Sequence, residues 1–145
     1  MADETFWKLF DTLPTDIITR CILPFIPPDT LVWLNKENYN KYQKCIRKQI
    51  PDSCFESYIR DLVRKNHSFT LEHVVRENIH KWVRMKKYRY KNIVAPDYLH
   101  FIYYFAAEHE SRQSLEVINN IACEMIGTKW HKRNGVRTIR TKWTA

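Results

Sequence analysis

Apolar residues in this chain fall into short stretches, set apart by prolines near the start and by charged runs later. Between Leu13-Pro14 and Pro27-Pro28-Asp29 stand Ile17, Ile18, Ile22, Phe25 and Ile26, followed by Leu31, Val32 and Leu34. Pro14 suits the first turn of a helix, where a missing N–H leaves no hydrogen bond unmade, and Asp29 ahead of Thr30-Leu31 predicts a cap for a second helix. Pro24, Pro27 and Pro28 hold both helices to about two turns, because an interior proline removes a hydrogen bond and clashes with the preceding turn. Residues 12–42 therefore read as helix, turn, helix, a pair too short to bury its own apolar stripe. Ahead of it, Phe6, Trp7, Leu9 and Phe10 predict a small amphipathic cover over residues 4–12.

Farther on the helical period dominates. Tyr39, Tyr42, Ile46 and Ile50 recur at helical spacing up to Pro51. Ser53 with Glu56 reads as a capping box, opening a helix whose one face carries Phe55, Tyr58, Ile59, Leu62 and Val63 and which ends near Asn66-His67-Ser68. Leu71, Val74, Val75, Ile79, Trp82 and Val83 repeat the period over a longer helix, residues 70–87, with Glu72, Arg76, Glu77, Lys81, Arg84 and Lys86 opposite. Pro96-Asp97 opens a helix that is apolar or aromatic nearly all round over 98–107, which predicts central burial or a partner on both sides. Leu115, Ile118, Ile121, Ala122, Met125 and Ile126 form a last amphipathic helix closed by Gly127.

These elements predict an all-α fold: a single helical domain of about six helices over residues 1–127, then an extended basic C-terminal arm over 128–145. A chain of 145 residues has the size of one domain, burying roughly two thirds of its unfolded surface. The two glycines, Gly127 and Gly135, exclude a glycine-rich phosphate loop and argue against a turn-rich β fold. Cys21, Cys45, Cys54 and Cys123 form no CxxC pair, so free thiols acting as small hydrophobes on apolar helix faces, in a reducing compartment, are expected. The opening Met1-Ala2-Asp3-Glu4 is acidic, unlike a secretory signal, and the longest apolar run, 101–107, is too short to span a bilayer. The expectation is a soluble protein of intracellular origin.

Leu13-Pro14-x-Asp16-Ile17-Ile18, then Ile22, Phe25-Ile26-Pro27, Leu31, Leu34 and Asn35-Lys36, resemble the opening of an F-box, a small helical module that docks on the Skp1-type subunit of ubiquitin ligases. The run His80-Lys81-Trp82-Val83-Arg84-Met85-Lys86-Lys87-Tyr88-Arg89-Tyr90 and the ending Ile139-Arg140-Thr141-Lys142-Trp143 resemble the body and tail of short F-box-like proteins of nucleocytoplasmic large DNA viruses. The resemblance implies an N-terminal helix pair that binds protein through Leu13, Pro14, Ile17, Ile18, Pro27, Leu31 and Leu34. It also implies a place in the virion, as a minor capsid protein.

Charge bears on partners rather than on fold. A net charge of +8 and a pI near 9.4 draw the surface toward polyanions or acidic protein faces. Lys86, Lys87, Arg89 and Lys91 interleave with Tyr88 and Tyr90, a pattern that sets phosphate contacts beside stacking platforms for single-stranded nucleic acid. The bland alternative has the tyrosines packed inward and the charges merely solvated. The tail carries Lys129, Lys132, Arg133, Arg137, Arg140 and Lys142 with no acidic residue, and is expected to lie along an acidic groove of a protein partner. Five Trp, eight Tyr and seven Phe exceed what one small core hides, so Trp130 and Trp143, with Ile139, are read as further interface anchors.

Candidate chemistry adds little. Glu77-x-x-His80, with His73 one turn earlier, has the spacing of a di-iron ligand pair, but that site needs a second such motif and two more glutamates, which the chain lacks. No metal or other cofactor is expected. No spacing pairs any cysteine with a histidine as nucleophile and base, and Asp16, Asp29 and Asp61 read as helix-start or surface charges. Without an enzyme signature, three binding roles remain. They are a minor capsid protein among capsid subunits, an adaptor on a Skp1-type subunit in the host cytoplasm or nucleus, and a basic nucleic-acid binder using residues 86–91 and the tail.

Overall fold

The computed structural model describes Lys8, residues 11–132 and residues 135–139. The chain divides into two compact units, residues 1–52 and 53–145. The cover expected over 4–12 falls largely outside the described residues.

In the first unit, α1 (Thr15–Ile17) runs into a wide π turn (Ile18–Ile22) and then a tight 3-10 turn (Leu23–Phe25). Pro24 explains the change of pitch. It has no N–H to give and its ring crowds the carbonyl one turn back, so the preceding turn closes through the Leu23 N–H on the Ile18 carbonyl. Helix α2 (Pro28–Leu31) starts ahead of the expected Asp29 cap: Pro27 stands at the cap position, Pro28 opens the helix, and Asp29 lies in its first turn. What the spacing reads as one helix up to Pro51 is two, α3 (Lys36–Tyr42) and α4 (Lys44–Gln49), parted at Gln43. Asn35 caps α3, its Oδ1 accepting the Asn38 N–H at 2.8 Å. Helix α2 packs on α3 and α4, and Gln49 ties α4 to α2 and to the residues that follow it. Its amide donates to the Asp29 carbonyl at 2.9 Å, and its Oε1 accepts the Trp33 indole N–H at 3.4 Å. The core here is thin: among the described residues of this unit only Leu31, Val32, Tyr39 and Ile46 are buried apolar side chains.

The second unit contains α5 (Asp52–Arg64), α6 (Ser68–Trp82), β1 (Lys86–Tyr90), β2 (Ile93–Asp97), α7 (Tyr98–Glu108), α8 (Arg112–Met125) and β3 (Arg137–Thr138). The chain is mostly helical but not all-α, because the three strands form an antiparallel sheet in the order β1-β2-β3. The helix expected to reach residue 87 stops at Trp82 because the apolar period ends there. From Lys87 the side chains alternate instead, with Lys87 and Arg89 exposed, Tyr88 and Tyr90 half-buried, and Ile93 and Ala95 buried on the partner strand. Lys91, at a φ of 51°, makes the reversal with Asn92. Ser53 lies inside α5 rather than ahead of it, so the expected capping box is not made. The tail is not an extended arm where it is described: β3 adds to β2, and the Ile139 N–H donates to the Asn92 carbonyl at 2.6 Å.

Helix α7 is central, as its all-round apolar surface demands. It packs on α8, on α6 and on strands β1 and β2, burying Tyr98, Leu99, Phe101, Ile102, Phe105 and Ala106. Helix α8 ends where expected: Gly127 takes a φ of 134°, a conformation that side chains oppose, and donates to the Ala122 carbonyl at 3.1 Å.

A polar tie joins the end of α5 to the start of α8. Asn66, at a φ of 54°, turns its Oδ1 to accept from both the backbone N–H and the hydroxyl of Ser114, each at 3.1 Å. Ser111 donates to the Val63 carbonyl at 2.6 Å. Ser111 and Ser114 are both buried, so losing an acceptor there leaves a donor unsatisfied. Asn66→Gly keeps the left-handed conformation and removes only the acceptor. It is expected to cost about 1–2 kcal/mol in urea unfolding, and Asn66→Ala more, because its Cβ also opposes the backbone conformation. A glycine variant as stable as wild type would mean that the tie contributes nothing.

Candidate functional site

The expected interface positions of the first unit are mostly open. Leu13, Pro14, Ile17, Pro27 and Leu34 are exposed and Ile18 is half-buried. Leu31 is the exception, packed in the core of its own unit and therefore closed to a partner. Two residues that the sequence placed in a stripe or passed over are the most exposed apolar rings: Phe25 at 84% and Trp33 at 51%. Cys21 and Cys54 are exposed rather than set in apolar faces; Cys45 and Cys123 are half-buried, and all four are free thiols.

The aromatic-basic segment separates into two faces. Tyr88 and Tyr90 turn inward: Tyr88 lies against Phe101 and edge-on to Tyr98 and donates to Glu56 Oε2 at 2.6 Å, while Tyr90 lies against Phe101 with the Arg60 guanidinium 4.5 Å from its ring centre. Burial, then the Glu56 hydrogen bond, raises the Tyr88 hydroxyl well above its ordinary value. Both tyrosines are thus packed against the core from its edge. The cations face outward. Arg89, Val94 and Arg137 are register partners across the three strands, and directly paired residues share one face of a sheet. Lys87 and Lys91 are exposed as well. Among the described residues, Lys87, Arg89, Lys91 and Arg137 have no carboxylate within ion-pair distance. Ile139 is exposed. Arg133, Arg140, Lys142 and Trp143 lie outside the described residues, and of Lys132 only the backbone is described, in the turn Trp130–Lys132.

The remaining predicted residues, Lys86, Lys129 and Trp130, meet in a place that sequence reasoning did not foresee. They line a cleft of about 460 Å³ together with Val83, Pro96, Asp97, His100, Ile126 and Gly127. Trp130, read as an interface anchor, is only 4% exposed. It packs on Tyr103 and His100, with ring centres 5.1 Å away in each case, and donates its indole N–H to Asn119 Oδ1 at 3.2 Å.

Asp97 organises the cleft. Its Oδ1 caps α7 by accepting the His100 N–H at 2.9 Å and also accepts from His100 Nδ1 at 2.8 Å, while Lys86 Nζ stands 3.9 Å from Oδ2. His100 Nε2 donates to the Trp130 carbonyl at 3.1 Å. Both ring nitrogens therefore face acceptors, an arrangement that only the doubly protonated ring satisfies. The hydrogen bond to Asp97 raises the His100 pKa, outweighing burial. Burial pushes the Asp97 carboxyl up, but the hydrogen bonds from the ring and backbone of His100, with Lys86 behind them, bring it below its ordinary value. Pro96-Asp97 was legible as a helix start. The link from His100 to a carbonyl 30 residues away leaves no spacing signal.

The other candidates stay apart. Glu77 and His80 are exposed, His73 lies edge-on to Phe69 at 4.9 Å, and among the described residues no group of three or more His, Cys, Asp or Glu is placed to hold a metal. The buried Tyr58 and Tyr98 hydroxyls have no hydrogen-bond partner among the described residues; burial pushes Tyr58 up to about 12 and raises Tyr98 as well. No helix among the described residues is long and apolar enough to cross a membrane. No protein-family model, curated protein or solved structure matches this chain.

Proposed function

We propose that this chain is a non-enzymatic interaction protein, a minor capsid protein of a large DNA virus whose N-terminal unit docks on neighbouring capsid subunits in the virion. The observation that carries the reading is the exposure of five large apolar side chains, Leu13, Ile17, Phe25, Trp33 and Leu34, in a unit whose own core is thin. Burying one aromatic ring such as that of Phe25 or Trp33 in a partner returns about 1.5–3 kcal/mol. A binding role is supported also by His100: an imidazole engaged at both nitrogens has no lone pair with which to take a proton from a substrate.

Mass spectrometry of purified particles tests this. The chain should be present, cross-links from Lys36, Lys41 or Lys44 should reach a capsid subunit, and Phe25→Asp should lower incorporation about tenfold or more while the protein stays folded. Absence from particles would defeat the proposal. Docking on a Skp1-type subunit in the host cytoplasm or nucleus is a second reading, favoured by the exposure of Leu13, Pro14, Ile17 and Leu34. It requires a pull-down that Leu13→Ala and Pro14→Ala abolish. Nucleic-acid binding draws support from the cations around Arg89 and Arg137, which have no ion-pair partner among the described residues, and requires an affinity that falls steeply with salt.

A further inference from the structure

We infer that the cleft at the start of α7 is a binding site for a carboxylate carried on a flat apolar body. Its volume of about 460 Å³ lies within the range of about 300–1,000 Å³ usual for small-ligand sites. Val83, Pro96 and Ile126 supply apolar walls, and Trp130 lines the cleft with them. At Gly127, a Cβ would meet nothing within 4 Å, so the wall is open on that side. Lys86 and Lys129 stand at the rim, both exposed.

The charges in the cleft favour an anion. Lys86, Lys129 and doubly protonated His100 face one carboxylate, Asp97, whose Oδ1 is already occupied by two donors from His100. Lys86 reaches Asp97 only at 3.9 Å, which leaves its ammonium protons available, and Lys129 has no described partner. A carboxylate at the rim thus gains two ammonium groups, and its apolar body covers the walls that water now touches. A free organic acid and the C-terminal carboxylate of a protein ending in an aromatic residue share this chemistry. The inference does not depend on the N-terminal unit or on the proposed function.

Titration of the isotope-labelled full chain at about pH 6, where histidine carries its proton, tests it by amide shifts in NMR spectra. Phenylacetate should shift the amides of His100, Gly127 and Lys129 saturably, and neutral phenylacetamide should bind about fivefold more weakly or worse. Lys129→Ala removes an exposed side chain, leaves the rest of the spectrum unchanged and should weaken phenylacetate about fivefold. A short peptide ending in phenylalanine that binds more tightly than phenylacetate identifies a protein chain end as the source; one that binds no better identifies a free acid. The site is refuted by an absence of saturable shifts with both acids, by equal affinity for acid and amide, or by a Lys129→Ala variant that binds as well as wild type.

Discussion

Phe101→Ala is expected to destabilise the second unit by about 3–5 kcal/mol, the largest effect of any single truncation in this chain. Phe101 is fully buried, and its ring is where the sheet meets the central helix. Its centre lies 4.8 Å from that of Tyr88 and 5.3 Å from that of Tyr90 on β1, and 5.8 Å and 5.7 Å from those of Tyr98 and Phe105 on its own helix. Trp82 closes the cluster 5.1 Å from Tyr98. Neither side can collapse into the space that alanine leaves. Tyr88 is held by Glu56, and Tyr98 and Phe105, both buried, are hemmed in by the core around them. The cost therefore includes the cavity as well as the lost transfer of the ring. A domain with about 5–15 kcal/mol in total would lose a large part of it, seen as a fall of about 10 °C or more in the thermal transition by circular dichroism. Phe101→Leu keeps part of the volume and should fall between the two. An alanine variant within about 1 kcal/mol of wild type, far below the usual cavity cost, would show that the tyrosines repack freely and that the cluster does not join sheet to helix.

The same cluster marks the boundary of what the sequence reveals. Periodic burial was legible: Ile59, Leu62 and Val63 on α5, Val74, Val75 and Ile79 on α6, and Ile118, Ile121 and Ala122 on α8 all lie in the core, and the helix start at Asp97 and the stop at Gly127 stand where expected. The hairpin was not, because its strands are five residues each and its outward positions are charged, so the alternation was hidden inside a run that continued the charged face of α6. Its turn gives no usual signal either: Lys91 takes the left-handed position that asparagine or glycine ordinarily fills. The prolines of the first unit concealed the exposure of Phe25 and Trp33, since a helix that passes through π and 3-10 turns no longer keeps the apolar residues in one stripe. The cleft was invisible for a different reason. In the sequence Lys86 reads as a phosphate contact, Trp130 as an interface anchor and Pro96-Asp97 as a helix start, and only the return of the chain after Gly127 brings the three together.

Asp97→Ala should cost about 2–4 kcal/mol and, more tellingly, change how stability depends on pH. The carboxylate, 5% exposed, caps α7, binds the His100 ring and faces Lys86, so its removal orphans the His100 backbone N–H and leaves the imidazolium without its counter-charge. The penalty is bounded because histidine can shed its proton rather than stay charged in the cleft. In the wild type the His100 pKa is raised above its ordinary value of 6.5. The stabilisation it contributes is complete below that value and is lost as pH rises through the folded-state pKa. Asp97 lies below its ordinary value of 3.8, so its contribution is complete above 3.8 and is lost as pH falls through the lower, folded-state value. The pair therefore stabilises most in the interval between these ordinary values, with an acid limb from Asp97 and a limb toward alkaline pH from His100. Asp97→Asn retains an acceptor for the cap but no charge. It should cost less than alanine and flatten both limbs in urea unfolding measured across pH. If the wild-type and Asp97→Asn profiles run parallel on both sides of that interval, the pair is not the source of the pH dependence, and the clamp from α7 to Trp130 holds through packing alone.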